Sequence, residues 1–119
     1  MVNIVEHNAA VPLILGEFEQ LVLLALVRLG SDAYGASVRR EIESRTGRSV
    51  AISAVYTTLE RLEQKGLVRS FVGEPTAERG GRRKRHFELL PLGGRALKVA
   101  YDAFTEMASG LEHQLKALR

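Results

Sequence analysis

The chain has 119 residues, 26% of them charged and with a formal net charge of +3, which suits one globular domain of ordinary composition. It contains no cysteine, which excludes disulfides, thiol catalysis and cysteine-based metal sites. No apolar run approaches the ~20 residues of a membrane span, and residues 1–15 do not begin with the basic segment of a secretory signal. We therefore expect a cytoplasmic protein without a membrane segment.

The charge is unevenly distributed along the chain. Residues 1–27 carry three glutamates and no basic residue, whereas residues 28–85 contain 13 Lys or Arg against 7 Asp or Glu. The remainder has 4 of each sign. A basic middle segment indicates a polyanionic partner for one face of the fold.

Two helices are predicted after an N-terminal arm, residues 1–15. The first, Glu17 to Leu29, is apolar on more than one side, so it should be buried on more than one side, which indicates contact with a partner subunit. Residues 30–35 interrupt it and provide a start for the next helix. That second helix should run to about Thr46, and Gly47 should close it.

The segment from Ile52 to Gly66 predicts the helix around which the chain is organised. Val55, Leu59 and Leu62 form one apolar stripe, Ser53 is the expected N-cap, and Gly66 should end the helix. The opposite face begins with short, uncharged side chains that can approach a base edge or a phosphate closely. The candidate contacts on this face are Ser53, Ala54, Tyr56, Thr57 and Arg61.

After this helix the apolar period changes to the alternation of strands. Residues 67–73 and 86–90 predict the two strands of a hairpin. The end of the intervening loop and the start of the second strand hold five cations within seven residues, which suits contact with phosphates. They are Arg79, Arg82, Arg83, Lys84 and Arg85. The alternative for this loop is a solvated charge run.

The last predicted helix runs from Pro91 to about Leu118 and would span about 40 Å. Its apolar residues are spaced alternately by four and three, which is the pattern of a dimerising coiled-coil seam. The seam residues are Leu97, Tyr101, Phe104, Ala108, Leu111, Leu115 and Leu118. Gly110, inside the seam, either weakens the helix by up to ~1 kcal/mol or allows a partner to approach closely.

Three helices followed by a hairpin with a basic loop form the arrangement of a winged helix-turn-helix domain. We predict a mainly α fold with a small β-hairpin, made of a winged-helix domain at residues 16–90 and a long dimerisation helix at residues 91–119. Four motifs in this order resemble the PadR family of bacterial transcriptional regulators. They are Ala33-Tyr-Gly, the run from Ser53 to Val68, Gly80-Gly-Arg-Arg-Lys-Arg-His-Phe-Glu-Leu and Pro91-Leu-Gly-Gly-Arg.

The resemblance covers roughly residues 15–118 and implies a homodimeric DNA-binding repressor, often responsive to a small aromatic or cationic compound. It also implies that Tyr34, Ser53, Tyr56 and Thr57 lie near DNA together with the basic residues of the wing. The chain departs from the family at Leu90, where a capping Thr is usual. Leu is a poorer cap by on the order of 1 kcal/mol.

We therefore expect a dimeric repressor that binds a near-palindromic operator in double-stranded DNA and is relieved by a small molecule. The chain has no Trp, so Phe18, Tyr101 and Phe104 are the candidates for stacking on an aromatic ligand. The three histidines show no metal-ligand spacing, and neither a phosphate loop nor a catalytic serine motif occurs, so we expect no enzyme, metal or cofactor. The alternative function is a winged-helix protein–protein interaction module without direct DNA binding.

Overall fold

The fold, in a computed structural model that describes residues 14–73 and 83–119, has the predicted order of elements. No helix within these ranges is long and apolar enough to cross a membrane. Residues 1–13 of the N-terminal arm and residues 74–82, which include Arg79 and Arg82, lie outside the described residues. The elements are α1 Glu17–Leu29, a 3₁₀ turn Gly30–Asp32, α2 Gly35–Thr46, α3 Ile52–Gln64, β1 Val68–Val72, β2 Arg85–Leu89, α4 Pro91–Ala108 and α5 Glu112–Ala117.

The hydrophobic core lies where α1, α2 and α3 meet the hairpin. The stripe predicted on α3 is the face that this helix buries, because Val55, Leu59 and Leu62 are fully enclosed. The other large, fully buried side chains are Leu23, Val22, Val38, Leu67, Val68 and Phe87. The three helices and the two strands therefore share one core, as a winged-helix fold requires.

The hairpin is antiparallel, and its register sorts its side chains onto two faces. Val68 lies opposite Leu89 and Ser70 opposite Phe87 on the face that packs against the helices. Tyr34 forms an isolated antiparallel bridge with His86, and the Phe87 N–H donates to the Ala33 carbonyl at 3.0 Å, so residues 33–34 pair with β2 as a short third segment beside the hairpin. This pairing connects the start of α2 to the hairpin β1–β2, which is the wing of the fold.

The end of α3 is as predicted, but its start is not. Leu67 N–H donates to the Leu62 carbonyl and Gly66 N–H to the Glu63 carbonyl, both at 3.0 Å, which is the usual hydrogen-bonded end of a helix before Gly. Ser53 is not the N-cap, because the helix begins at Ile52 with Ala51 in the N-cap position. Ile52 packs against the core, so tertiary contact determines this start without a side-chain cap.

The predicted single C-terminal helix is interrupted near its end. Helix α4 stops at Ala108, and Gly110 adopts φ 84° before the short α5. Glycine enters this left-handed region without the steric cost that a β-carbon imposes, so the break is inexpensive there. The heptad seam is therefore continuously helical only as far as Ala108, with Leu115 on the separate α5, and α4, with 18 residues, is about 27 Å long.

The start of α4 is anchored by a backbone contact, and no side chain replaces the missing Thr cap. Leu90 stands at the N-cap position without a side-chain cap, and its N–H donates to the Leu67 carbonyl at 2.9 Å. Pro91 follows at the first helical position, where its missing N–H costs nothing. The helix is thereby attached to the beginning of β1.

Candidate nucleic-acid interface

The face of α3 opposite the core is exposed along its whole length. All five candidates on it are exposed, whereas Val55 and Thr58 between them are buried. The candidates in the first two turns are small or uncharged, so no bulky charged side chain stands between this surface and a partner. These residues are Ser53, Ala54, Tyr56 and Thr57.

Tyr56 is held in place by a glycine of the neighbouring helix. A β-carbon built on Gly35 would lie 2.8 Å from Tyr56 Cε1 and closer still to the end of the ring. The ring therefore lies directly on the first residue of α2, while Tyr56 remains 39% exposed. Only glycine at position 35 allows this approach, which fixes a candidate contact residue against the adjacent helix.

Arg61 and Lys65, near the end of α3, converge on Glu19, whose side chain is only 8% exposed. Lys65 Nζ lies 2.8 Å and Arg61 Nη1 3.9 Å from Glu19 Oε2, and Gly16 N–H donates to Oε1 at 2.8 Å. Burial opposes ionisation of Glu19, but the Lys65 and Gly16 hydrogen bonds and the two cations outweigh it, so the pKa of Glu19 is lowered. This cluster joins α1 to α3, and the Arg61 side chain remains 49% exposed.

Of the five cations predicted to contact phosphates, the three within the described residues, Arg83, Lys84 and Arg85, have different surroundings. Arg83 is exposed, and the Lys84 ammonium lies 4.3 Å from the centroid of the Tyr34 ring. Arg85 instead reaches α3, where its guanidinium lies 3.0 Å from Glu60 Oε2 and 3.1 Å from Glu63 Oε1. Successive residues of a strand face opposite sides, so one basic run divides into cations with different partners.

Arg40 is a residue that sequence reasoning did not select. Its Nη2 donates to the Tyr34 hydroxyl at 3.3 Å, and this bond, followed by Lys84, lowers the pKa of Tyr34. No helical or strand spacing pairs an N-cap residue with the residue six positions later, so the sequence carries no signal for this contact. Tyr34 is therefore surrounded by two cations from different elements.

A second exposed surface lies on α4 and is apolar. Leu97 packs against the domain's own core, as do Ala96 and Ala100, so the first seam residue already has an intramolecular partner. Beyond Ala100 the same stripe continues into solvent, with Phe104 72% exposed and Met107 80% exposed. Met107 flanks the predicted seam and was missed by the strict spacing. Seam residues exposed with them are Tyr101, Leu111, Leu115 and Leu118.

The residues predicted to bind a small molecule do not share one environment. Phe18 is half-buried against the core, whereas Tyr101 and Phe104 are exposed on α4. For a metal ion, residues 14–73 and 83–119 contain no group of three His, Asp or Glu side chains that would hold one.

The fold and the arrangement of these surfaces define a winged helix-turn-helix protein. The family profile described as "Transcriptional regulator PadR-like family" matches residues 23–99, more than half of the chain. The chain belongs to this family and is a transcriptional regulator of the PadR type, which acts on DNA. Among curated protein sequences, none matches significantly.

Several solved PadR-type structures share the fold. A PadR-like regulator from Bacillus cereus aligns with a TM-score of 0.67 at 14% identity, over 85% of this chain and 93% of that one. A PadR family regulator from Clostridium difficile gives 0.66 at 16% identity, covering 82% and 98%. One from Eggerthella lenta gives 0.61 at 22% identity, covering 86% and 88%. At these identities the likeness supports the fold, including the C-terminal helix.

Proposed function

We propose that the protein is a homodimeric repressor that binds a near-palindromic DNA operator and releases it when a small molecule binds. The observation that carries this proposal is the exposed start of α3, whose side chains are small or uncharged, on the helix that the wing residue Arg85 reaches through Glu60 and Glu63. Short side chains allow the backbone of α3 to approach base edges closely, and the flanking cations attract the phosphates of the DNA.

In this proposal residues 16–90 bind DNA, and α3 enters the major groove. Tyr34, Ser53, Ala54, Tyr56, Thr57 and Arg61 contact bases or nearby phosphates, and Arg82, Arg83 and Lys84 contact the backbone or the minor groove. Arg85 was predicted as a further contact, but its ion pairs with Glu60 and Glu63 favour a role in holding the wing against α3. Arg82 lies outside the described residues and remains a prediction from the sequence.

Residues 91–119 form the association surface in this proposal. A stripe that exposes Tyr101, Phe104 and Met107 to water is costly for an isolated chain, and pairing with a second copy would remove it from solvent. Leu24 and Val27, 45% and 56% exposed on α1, can extend the same contact. A two-fold dimer would present its α3 helices to half-sites about 34–36 Å apart, and occupancy of the promoter would repress transcription.

Relief by a small molecule would work through the junction between these two parts. Phe18 is on α1, which packs against α4, while Tyr101 and Phe104 lie further along α4. A flat aromatic or cationic compound that stacks on these rings would alter how α4 leaves the domain and therefore the spacing of the two α3 helices. The compound would lower operator affinity only if it prefers that altered spacing.

A gel-shift titration on the protein's own promoter at moderate salt, combined with sedimentation of the free protein, tests this function. We expect a dimer that shifts promoter DNA more strongly than random DNA of the same length. Retention of the dimer with no DNA shift at any salt concentration would instead favour a protein–protein interaction module.

A further inference from the structure

A cleft of about 440 Å³ lies between the start of α2 and the wing, away from the apolar surface of α4. The residues that line it are Leu29, Asp32, Tyr34, Ser37, Arg40, Lys84 and His86. Two stretches of the chain thus contribute to it: the segment from the end of α1 to the second turn of α2, and the residues at the start of β2.

Two cations converge on one phenol in this cleft. Arg40 Nη2 donates to the Tyr34 hydroxyl at 3.3 Å, and Lys84 Nζ lies 4.3 Å from the centre of the same ring. Within the described parts of the chain, no carboxylate oxygen lies within 4.0 Å of either cation. Two like charges held near each other favour the arrival of an anion.

The donors in the cleft fit an oxyanion better than a neutral ligand. Because the Tyr34 oxygen accepts its hydrogen bond from Arg40, its own proton remains free to be donated. The two cations lower the pKa of Tyr34, as an anion-stabilising environment does. His86 Nδ1 is buried and has no hydrogen-bond partner among the residues described, and α2 begins directly after Tyr34 with its positive dipole end.

The neighbouring residue Arg85 provides a natural contrast. Lys84 and His86 lie on one face of β2 with Tyr34, whereas Arg85 lies on the other face and is neutralised by Glu60 and Glu63. A single step along the chain therefore separates Lys84, which has no acidic partner among the described residues, from Arg85, which has two. Only the first belongs to the cleft.

We propose that Tyr34, Arg40 and Lys84 together bind one phosphodiester of the DNA backbone in each half-site. This inference rests on the proposed DNA-binding function and adds to it a defined, shared phosphate site. The site adjoins the reading helix through the contact of Tyr56 with Gly35, the first residue of α2. A phosphate held there would set the depth and angle at which α3 enters the groove, since phosphate contacts position a protein on the duplex.

The test is the salt dependence of operator affinity for Arg40→Gln, Lys84→Gln and the double variant. If both cations serve one phosphate, the double variant should lower the slope of log affinity against log salt by about 0.9 per chain. Two separate phosphate contacts would lower it by about 1.8 per chain and would overturn the shared site. Tyr34→Phe should weaken binding roughly tenfold with little change of slope, because it removes a hydrogen bond and no charge.

Arg45→Gln, on the same helix as Arg40 and paired with Glu41, is the matched control, and its slope should stay at the wild-type value. An unchanged slope in the double variant, with wild-type protein that still discriminates its operator, would overturn the phosphodiester site but leave the proposed function standing. Failure of the wild type to bind DNA would reject both. Titration with inorganic phosphate followed by ³¹P NMR separates the source: saturable binding lost in the double variant, without a slope change on DNA, would assign the cleft to a free anion and overturn the DNA assignment.

Discussion

In the described residues of the winged-helix part, 14–73 and 83–90, most large apolar side chains are buried or half-buried, and exposed charges are often neutralised by ion pairs between elements. Beyond Ala100 the C-terminal helices bury no large apolar side chain, and Tyr101, Phe104 and Met107 face solvent. The first region encloses most of the hydrophobic core, to which α4 adds Ala96, whereas the second carries an apolar stripe that is exposed. The two regions are therefore suited to partners of opposite chemistry, a polyanion for one and a second apolar surface for the other.

The largest expected effect comes from charging the apolar stripe of α4. Phe104→Glu would place a carboxylate in a dry contact on both chains, which costs several kcal/mol, so we expect the dimer dissociation constant to rise roughly a hundredfold or more. Sedimentation should show monomers at micromolar concentration, with loss of tight operator binding, and Leu111→Glu should act in the same direction. Thr105→Glu, at the adjacent exposed polar position, is the control and should remain dimeric. A dimeric Phe104→Glu protein would show that this stripe is not the interface.

The next effect concerns the reading surface of α3. Thr57→Ala should reduce operator affinity about tenfold or more while leaving random-DNA affinity nearly unchanged, because a base contact is worth roughly 1–3 kcal/mol of discrimination. Fluorescence anisotropy on operator and random duplexes measures the ratio. Gln64→Ala, exposed at the other end of the helix, should leave both affinities unchanged. Equal losses on both duplexes would mean that α3 does not read sequence.

A third change tests whether packing against Gly35 of α2 positions Tyr56. Gly35→Ala introduces a methyl group into the Tyr56 ring, and overpacking of this kind should lower the free energy of unfolding by about 1–3 kcal/mol. Urea denaturation should show this loss, and it should shrink in a Tyr56→Ala background because the clash is then absent. Gly94→Ala, where a β-carbon meets only an ordinary contact at 3.7 Å, should be neutral or stabilising. Equal destabilisation in both backgrounds would contradict the contact.

A fourth change tests how the charge of Glu19, paired with Lys65 and Arg61, contributes to stability at different pH values. Glu19→Gln should cost about 1–2 kcal/mol of unfolding free energy at neutral pH, since its charge accepts bonds from Lys65 and Gly16. The pKa of Glu19 is lowered by folding from its ordinary 4.5, so this stabilisation is present above that value and lost as the pH falls through the lower, folded pKa. The wild type and Glu19→Gln should therefore differ in unfolding free energy at neutral pH, and this difference should disappear at acidic pH. Glu17→Gln, which removes an exposed pair with Arg48, should cost less than about 1 kcal/mol.

The smallest expected effect is that of one exposed wing cation. Arg83→Ala should lower the slope of log affinity against log salt by about 0.9 per chain, with similar losses on operator and random DNA, if it contacts a phosphate. Replacing Arg82 as well should double the change if both make such contacts. Arg45→Ala, whose side chain is paired with Glu41 on α2, is the control and should leave the slope unaltered. Wild-type slope and affinity in the double variant would reduce this part of the wing to a solvated loop.

Local sequence patterns were sufficient to locate most of the fold. The apolar stripe of α3 and the glycines at positions 47 and 66 predicted helix limits that the structure has within a residue or two. These signals work because helix period and left-handed glycine ends are properties of a few consecutive residues. The prediction for the start of α3 was wrong because it used local sequence alone. Ser53 is a residue type that caps helices well, but the packing of Ile52 against the core determines where the helix begins.

The family and the exposed face of α3 could also be predicted from the sequence, whereas the pairing of the charges could not. Among Arg83, Lys84 and Arg85 the sequence shows one basic run; only the strand register assigns Lys84 to Tyr34 and Arg85 to Glu60 and Glu63. Sequence position likewise gives no reason for Lys65 to meet Glu19, 46 residues earlier. Local periodicity by itself determined the elements and their order, because it arises from neighbours along the chain. Which cations are neutralised, and which remain for a partner, was decided by the packing of elements distant in sequence.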